Sequence, residues 1–340
     1  MIEENNLDRI ISRLNSQQGH RLLLMKPARQ WMLEASATPD PRTLFGSFWR
    51  EGELAILFAD TNVGKSILAV QIADAISRGQ SDELCRNGVL AQKVLYLDFE
   101  LSAKQFQKRY SNAANSMYNF NDNFIRVELN RHTGMLTDFD GALWAGIEHA
   151  VTESRAKVLI VDNLTALKLQ STEAAKEAIP LMNNLLALKH KLGLSVLVVA
   201  HTPKRNRSNP ITENDLAGSK LISNLADTLF AIGHSSQGPD MRYLIHVKDR
   251  AGHKQHGYDN VISCRVVKAD AHLCFMPTAY GPEKEHLSPP ETADSRAQLD
   301  SDIVDLYNSN PNLSNREIAR QLNTNPMKVT RVLQREKLID

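Results

Sequence analysis

ADTNVGKS, residues 59–66, lies between the apolar run LAILF (54–58) and the stretch SILAVQIADAIS (66–77), and its reading decides the fold. The pattern GxxxxGK[ST] between a strand and a helix is a phosphate-binding loop. Backbone N–H groups of such a loop, and of the helix it opens, converge on one spot where the helix dipole favours negative charge. Gly64 lets the backbone approach closely, Lys65 reaches the β- and γ-phosphates, and the Ser66 hydroxyl ligates magnesium. Ala59, Asp60, Thr61, Asn62, Val63, Gly64, Lys65, Ser66 and Ile67 are therefore the expected nucleotide contacts, with ATP and Mg2+ as expected cofactors. Ala59 stands where the pattern has its first glycine, and as the smallest replacement it fits if its φ is negative.

Further along, short apolar runs alternate with longer helical stretches: KVLYLDF (93–99), KVLIVD (157–162), LSVLVVA (194–200), DTLFAIG (227–233) and YLIHVK (243–248). Continuous apolar strands separated by helices predict an α/β core with a mainly parallel sheet covered on both faces. KVLIVD ends in Asp162, as the second nucleotide motif requires, so Asp162 is expected to hold the metal opposite Ser66. YLDFE (96–100) ends a strand with Glu100, a candidate base; Asp98, two residues back on the same face, is the alternative. LVVAH (197–201) carries His201 at the tip of a buried strand, where a polar side chain can sense the γ-phosphate.

The order of these pieces resembles the RecA-like hexameric helicase group, and within it the DnaB and plasmid RepA helicases, over about residues 40–255. DLAGSKLISNLAD (215–227) resembles a family run through Asp215, Leu216, Gly218, Ser219, Ile222, Ala226 and Asp227, with Gly and Ser transposed. The resemblance implies a RecA-like P-loop core in which Glu100 activates the attacking water. It implies that Lys248 and Arg250, matching a K-x-R element, act in trans on a neighbour's γ-phosphate, so that activity needs a homo-oligomer, a hexameric ring. It also implies that the loop after His201, with Lys204, Arg205 and Arg207, holds a DNA backbone, a salt-sensitive contact that needs no base sequence. A basic loop can equally be a solvated one.

The chain has 340 residues and a formal net charge of +1, so any nucleic-acid surface must be local. Cys85, Cys264 and Cys274 are scattered without metal-ligand spacing, which suits a reducing compartment. The polar N-terminus is no secretory signal, and no apolar run nears the roughly 18 residues of a membrane span. A soluble, cytoplasmic protein is expected. Residues 1–45 read as an N-terminal helical segment, with Leu7, Ile10, Ile11 and Leu14 at helical spacing; Trp31 and Leu33 suit either docking on a neighbour or capping their own core. Residues 46–280 form the ATPase domain, 281–299 a polar linker.

Residues 300–340 resemble a small helix-turn-helix or winged-helix-like domain. Ser314 and Glu317 form a capping box, Pro326 opens the second helix, and Lys328, Arg331 and Arg335 are candidate DNA contacts. Residues 314–337 carry six Lys or Arg (316, 320, 328, 331, 335, 337) against Glu317 and Glu336, a local +4. A protein-interaction domain is the competing reading. Three functions follow: a RepA/DnaB-like helicase or mobile-element replication ATPase acting on single-stranded or duplex DNA; an ATP-switched DNA-binding regulator or assembly factor without unwinding; and a RadA- or KaiC-like accessory ATPase. For the last, the sequence shows neither a zinc motif nor a second ATPase copy.

Overall fold

The computed structural model describes residues 24–130, 138–163, 178–203, 205–216, 220–250, 252, 254–289, 293–311, 313–322 and 324–339. The periodic segment Leu7–Leu14, Lys204, and the Gly218–Ser219 transposition lie outside them. Eleven strands are described: β1 (Thr43–Phe45), β2 (Trp49–Arg50), β3 (Leu54–Ala59), β4 (Val94–Asp98), β5 (Phe124–Val127), β6 (Val158–Asp162), β7 (Ser195–His201), β8 (Thr228–His234), β9 (Met241–Asp249), β10 (Val261–Ala269) and β11 (His272–Gly281). The helices are α1 (Ala28–Ser36), α2 (Lys65–Arg78), α3 (Ala103–Arg109), α4 (Phe139–Ser154), α5 (Ala178–Leu192), α6 (Lys220–Leu225), α7 (Ala293–Ser309), α8 (Asn315–Gln321) and α9 (Pro326–Arg335).

One nine-stranded sheet has the order β11-β10-β9-β8-β3-β7-β6-β4-β5. Strands β3 to β8 run parallel, and β9, β10 and β11 extend the sheet antiparallel beyond β8. Every residue of β3, β4 and β6 is buried, which is why these runs are continuously apolar rather than alternating. Within β3 the side chains still divide by face. Leu54, Ile56 and Phe58 pack with α4 and α5 residues such as Val151 and Leu185. Ala55, Leu57 and Ala59 pack with α2 and with Phe45, Phe48 and Trp49 of the β1–β2 segment.

The five apolar runs read as strands are all strands, but the antiparallel extension is not legible in them. In β10 the first four residues are buried and in β11 only Cys274 and Phe275, and the rest are partly or fully exposed, so their apolar stretches are short. The span 281–299, expected as a linker, carries defined elements at both ends. Gly281 ends β11, a 3-10 turn spans Glu283–Glu285, and α7 begins at Ala293. Glu283 and His286 are buried: Glu283 accepts from Ile211 N at 2.8 Å and the Tyr243 hydroxyl at 2.9 Å. His286 bonds the Ser235 and Ser263 hydroxyls at 2.8 and 2.9 Å. A polar segment reads as a linker from composition alone, but here its polar groups satisfy buried partners.

Helices α7 to α9 share a cluster of Ile303, Ile318, Ala319, Val329, Val332 and Leu333. Ser314 and Glu317 make the capping box, and Asn325 caps α9 ahead of Pro326. Among the described residues of 293–339 there is no strand, so this unit is three-helical without a wing.

Candidate nucleotide site

The C-terminal edge of the parallel strands gathers the expected groups. Ala59 is the last residue of β3, paired with His201 on one side and Ile232 on the other, so it is extended and needs no glycine. Asn62 takes the left-handed conformation (φ 63°) instead, one of the few non-glycine types that does so at low cost. Gly64 is irreplaceable on two grounds. Its φ is 110°, and a Cβ there would come within 2.9 Å of the Phe275 ring. That ring is held because Gln71 of α2 clamps the Phe275 backbone, accepting from its N–H at 2.8 Å and donating to its carbonyl at 3.1 Å.

Lys65 is buried, and its ammonium donates to the Ala59 and Asp60 carbonyls at 2.9 and 2.8 Å. Burial lowers its pKa, and the charges of Asp162, Glu100 and Asp60 oppose that shift. Asp162 is fully buried. Burial pushes its pKa up to about 6, restrained by the Ser66 hydroxyl beside it and by the Tyr96 hydroxyl, and reinforced by Glu100 and Asp98. Tyr96 donates to one carboxylate oxygen at 2.5 Å; the other, Oδ1, has no full hydrogen bond among the described residues. A buried carboxylate oxygen left open beside a serine hydroxyl fits Mg2+. No group of three or more His, Cys, Asp or Glu among the described residues could hold a metal alone. Substrate phosphates and water would complete the shell, the usual arrangement for Mg2+. Ser66 and Asp162 would hold the ion, whose contribution when bound is to neutralise phosphate charge.

Glu100 and Asp98 separate cleanly. Asp98 is buried and spent: Arg126 Nε donates to it at 2.8 Å, and the Glu100 and Leu101 N–H groups at 3.1 and 2.9 Å. It shapes the turn that carries Glu100. Glu100 is 41 % exposed, with its Oε1 at 3.4 Å from His201 Nε2, and Asn163 Nδ2 donates to the same oxygen. The His201 contact, then the charge of Lys65 and the Asn163 bond, hold its pKa below the ordinary carboxylate value. Asn163 also lies 3.1 Å from His201 Nε2, making a Glu100–Asn163–His201 cluster. The sequence reading did not single out Asn163; its place directly after the strand-end Asp162 was the available signal. Thr202 was missed as well: its N–H donates to the Ala59 carbonyl at 3.1 Å and its hydroxyl to Asp60, tying the β7 tip to the loop.

Lys248 and Arg250 are elsewhere. β9 runs against β8, with Asp249 opposite Thr228, and Thr228 pairs with Ala55 at the start of β3. They therefore sit at the opposite edge of the sheet from the loop, beyond about 13 Å of strand. Lys248 donates to the Ser223 and Ala226 carbonyls at 2.6 and 3.0 Å, and Arg250 pairs with Asp227 at 3.2 Å. Within one chain they cannot join Lys65. Of the loop cations, Arg205 is largely buried: its side chain is 8 % exposed, bonds the Asn209 carbonyl and lies 3.7 Å from Asp215. Arg207 and Arg331 are exposed, Lys328 is partly buried, and Arg335 pairs with Asp300 at 3.0 Å.

A family model described as an AAA domain matches residues 21–207, more than half of the chain. The chain belongs to this AAA-domain family. The ATPase is similar to the DNA repair protein RadA of Bacillus subtilis (strain 168), 24 % identical over 243 residues. That match covers 67 % of this chain and 44 % of RadA, so the chain spans less than half of its relative. Among solved structures, a KaiC-like protein from the hyperthermophilic archaeon Pyrococcus horikoshii OT3 matches with a TM-score of 0.47 and 13 % identity, covering 69 % of this chain and 94 % of that one. The family and the loop–strand geometry together make this a P-loop ATPase with a RecA-like core. Among the described residues no helix is long and apolar enough to cross a membrane.

Proposed function

We propose that the protein is an oligomeric ATPase whose hydrolysis, at sites shared between subunits, drives its action on DNA in the manner of the RepA and DnaB helicases or a mobile-element replication ATPase. The carrying observation is the division of the chemistry between the two sheet edges. Lys65, Ser66, Asp162 and the Glu100–Asn163–His201 cluster gather at one edge, and Lys248 and Arg250 lie at the other. A neighbour could supply the second set to the first, and a head-to-tail arrangement that closes is a ring. In that role Glu100 positions and deprotonates water, Lys65 and the loop N–H groups hold the phosphates, and Arg250 neutralises charge on the γ-phosphate from across the interface.

Helix α1 supports association. None of its residues is buried, and Trp31, Met32 and Leu33 are 42, 73 and 60 % exposed, so it does not cap its own core. For DNA, support comes from exposed Arg207 in the loop after β7, from the local +4 of residues 314–337, and from the similarity to a protein named for DNA repair. The same C-terminal unit favours a second reading, an ATP-switched DNA-bound regulator that assembles without unwinding. ATP hydrolysis measured with and without single-stranded DNA, with sizing in a non-hydrolysable analogue, tests the proposal. Stimulation with assembly supports it; a monomer indifferent to DNA sinks it. Strand displacement then separates motor from switch.

A further inference from the structure

Arg207, His234 and Arg242 come from three parts of the chain and meet beside the phosphate loop. His234 ends β8 and pairs in register with Arg242 near the start of β9. Ile232, two residues before His234, pairs with Ala59 at the base of the loop. Arg242 reaches the loop itself: Nε donates to the Val63 carbonyl at 3.1 Å, and Nη1 to the Pro239 and Met241 carbonyls at 2.8 and 2.7 Å. Arg207 arrives on the loop after β7, whose backbone is pinned to the segment following β11. Ser288 N donates to the Arg207 carbonyl at 3.1 Å, and the Ser208 hydroxyl to the Pro289 carbonyl at 3.0 Å.

The backbone brings the three together: Ser236, two residues after His234, donates its N–H at 2.9 Å to the carbonyl of His286, two residues before the Ser288 that holds Arg207. Burial, then the charges of Arg207 and Arg242, bring the His234 pKa down to about 4; burial and then Arg207 lower that of Arg242. The carboxylates facing the group are Asp60 and Asp240, and both are shared. Asp60 takes the Thr202 hydroxyl, and Asp240 holds Arg265 at 3.2 Å. A positive surplus held together beside a phosphate loop, against its own repulsion, is an arrangement that an anion with several oxygens stabilises.

We infer that Arg207, His234 and Arg242 form a second phosphate-binding site on the β8 side of the phosphate loop. Two sources share that chemistry: a phosphodiester of a strand held by the loop after β7, and the polyphosphate of the nucleotide on the same loop. Because Arg242 also grips Val63, an anion there is felt by the loop that holds the nucleotide. Only the phosphodiester arm rests on the DNA reading above.

The test uses the full chain and two probes: a fluorescein-labelled oligothymidine and a fluorescent non-hydrolysable ATP analogue with Mg2+. Wild type, R207Q, R242Q and R242K are titrated with each over a salt series. Each glutamine variant is expected to weaken one probe about tenfold, with R242K, which keeps the charge but not the fork, between it and wild type. Weakened oligonucleotide binding, with a salt slope shallower by about one, assigns the phosphodiester; weakened analogue binding assigns the nucleotide. Unchanged affinity for both probes in R207Q and R242Q, with thermal unfolding like wild type, overturns the site. If R242Q fails to fold for want of its carbonyl contacts, R207Q decides. A wild type that takes the analogue but not the oligonucleotide ends the DNA reading and leaves this site judged on the analogue alone.

Discussion

The two edges of the sheet hold similar residue types in different states. At the loop edge, the charges of three carboxylates act on Lys65, Asp162 keeps a buried oxygen open, and Glu100 stays partly solvated within reach of His201. At the far edge, Lys248 and Arg250 cap the end of α6, Arg250 pairs with Asp227, and burial followed by the Arg250 charge lowers the Lys248 pKa. The first edge is arranged for a ligand that is both anionic and metal-bound. The second is satisfied within the chain. A charge-assisted hydrogen bond contributes about 1.5–3 kcal/mol, and Arg250 is 54 % exposed, so exchanging Asp227 for a neighbour's γ-phosphate is a small step.

Breaking that comparison most sharply is the R250A variant. If the far edge serves a neighbour, hydrolysis should fall about a thousandfold while nucleotide affinity stays near wild type. Mixing R250A with K65A should then restore activity, since about a quarter of random interfaces would pair an intact Lys65 with an intact Arg250. Turnover in R250A equal to wild type would make Arg250 a helix cap and nothing more.

Next in size is the pair Glu100 and Asp98. E100Q should bind nucleotide and lose about 100- to 10,000-fold in turnover. D98N should lose about 3–5 kcal/mol of stability instead, because it breaks a buried pair with Arg126. Chemical denaturation and single-turnover hydrolysis on both variants check the division; a stable, inactive D98N would reverse it. A smaller effect belongs to Asn163. N163A should slow turnover about tenfold by freeing Glu100 and His201 to move apart, and N163D should not rescue it, because the Nδ2 donor to Glu100 is gone.

The loop edge was legible because it is built from local signals: a strand, a turn ending in Gly64 and a helix for Lys65 and Ser66, and strand-end acids for Asp162 and Glu100. The choice between Asp98 and Glu100 was not, since strand periodicity puts both on one face and only Arg126, 28 residues downstream of Asp98, decides between them. The antiparallel extension escaped for a related reason. β10 and β11 give the core only a few residues, such as Ile262, Cys264 and Phe275, and pair along their length beside the Gln71 clamp; pairing between distant segments leaves little trace in composition. Arg205 was read as a loop cation because its partner Asp215 lies ten residues on, past a turn that sequence alone does not close.

The smallest expected effect concerns pH and sets the core against the site. His246 is buried, lies with its ring tilted against Phe48 at 5.3 Å between centroids, and meets the Thr228 hydroxyl through Nε2 at 2.8 Å, while its Nδ1 has no hydrogen bond among the described residues. That hydroxyl gives its proton to the Lys248 carbonyl at 3.0 Å, so Nε2 is the protonated nitrogen and a second proton would sit at buried Nδ1. Burial lowers the pKa to about 4 from 6.5. The unfolded chain therefore binds a proton that the folded one refuses between those values, and stability falls as pH drops through 6.5. By pH 5 the loss from this residue is about 2 kcal/mol. Asp162 carries the opposite sign: its raised pKa adds stability that is fully present below the unfolded value of 3.8 and is lost as pH rises through about 6. Denaturant unfolding of wild type and H246N at pH 7.5 and pH 5 reads the difference. The variant, neutral at both, should start less stable and close the gap by about 2 kcal/mol in the acid sample; a gap that stays constant would mean that folded His246 takes up its proton as freely as the unfolded chain does.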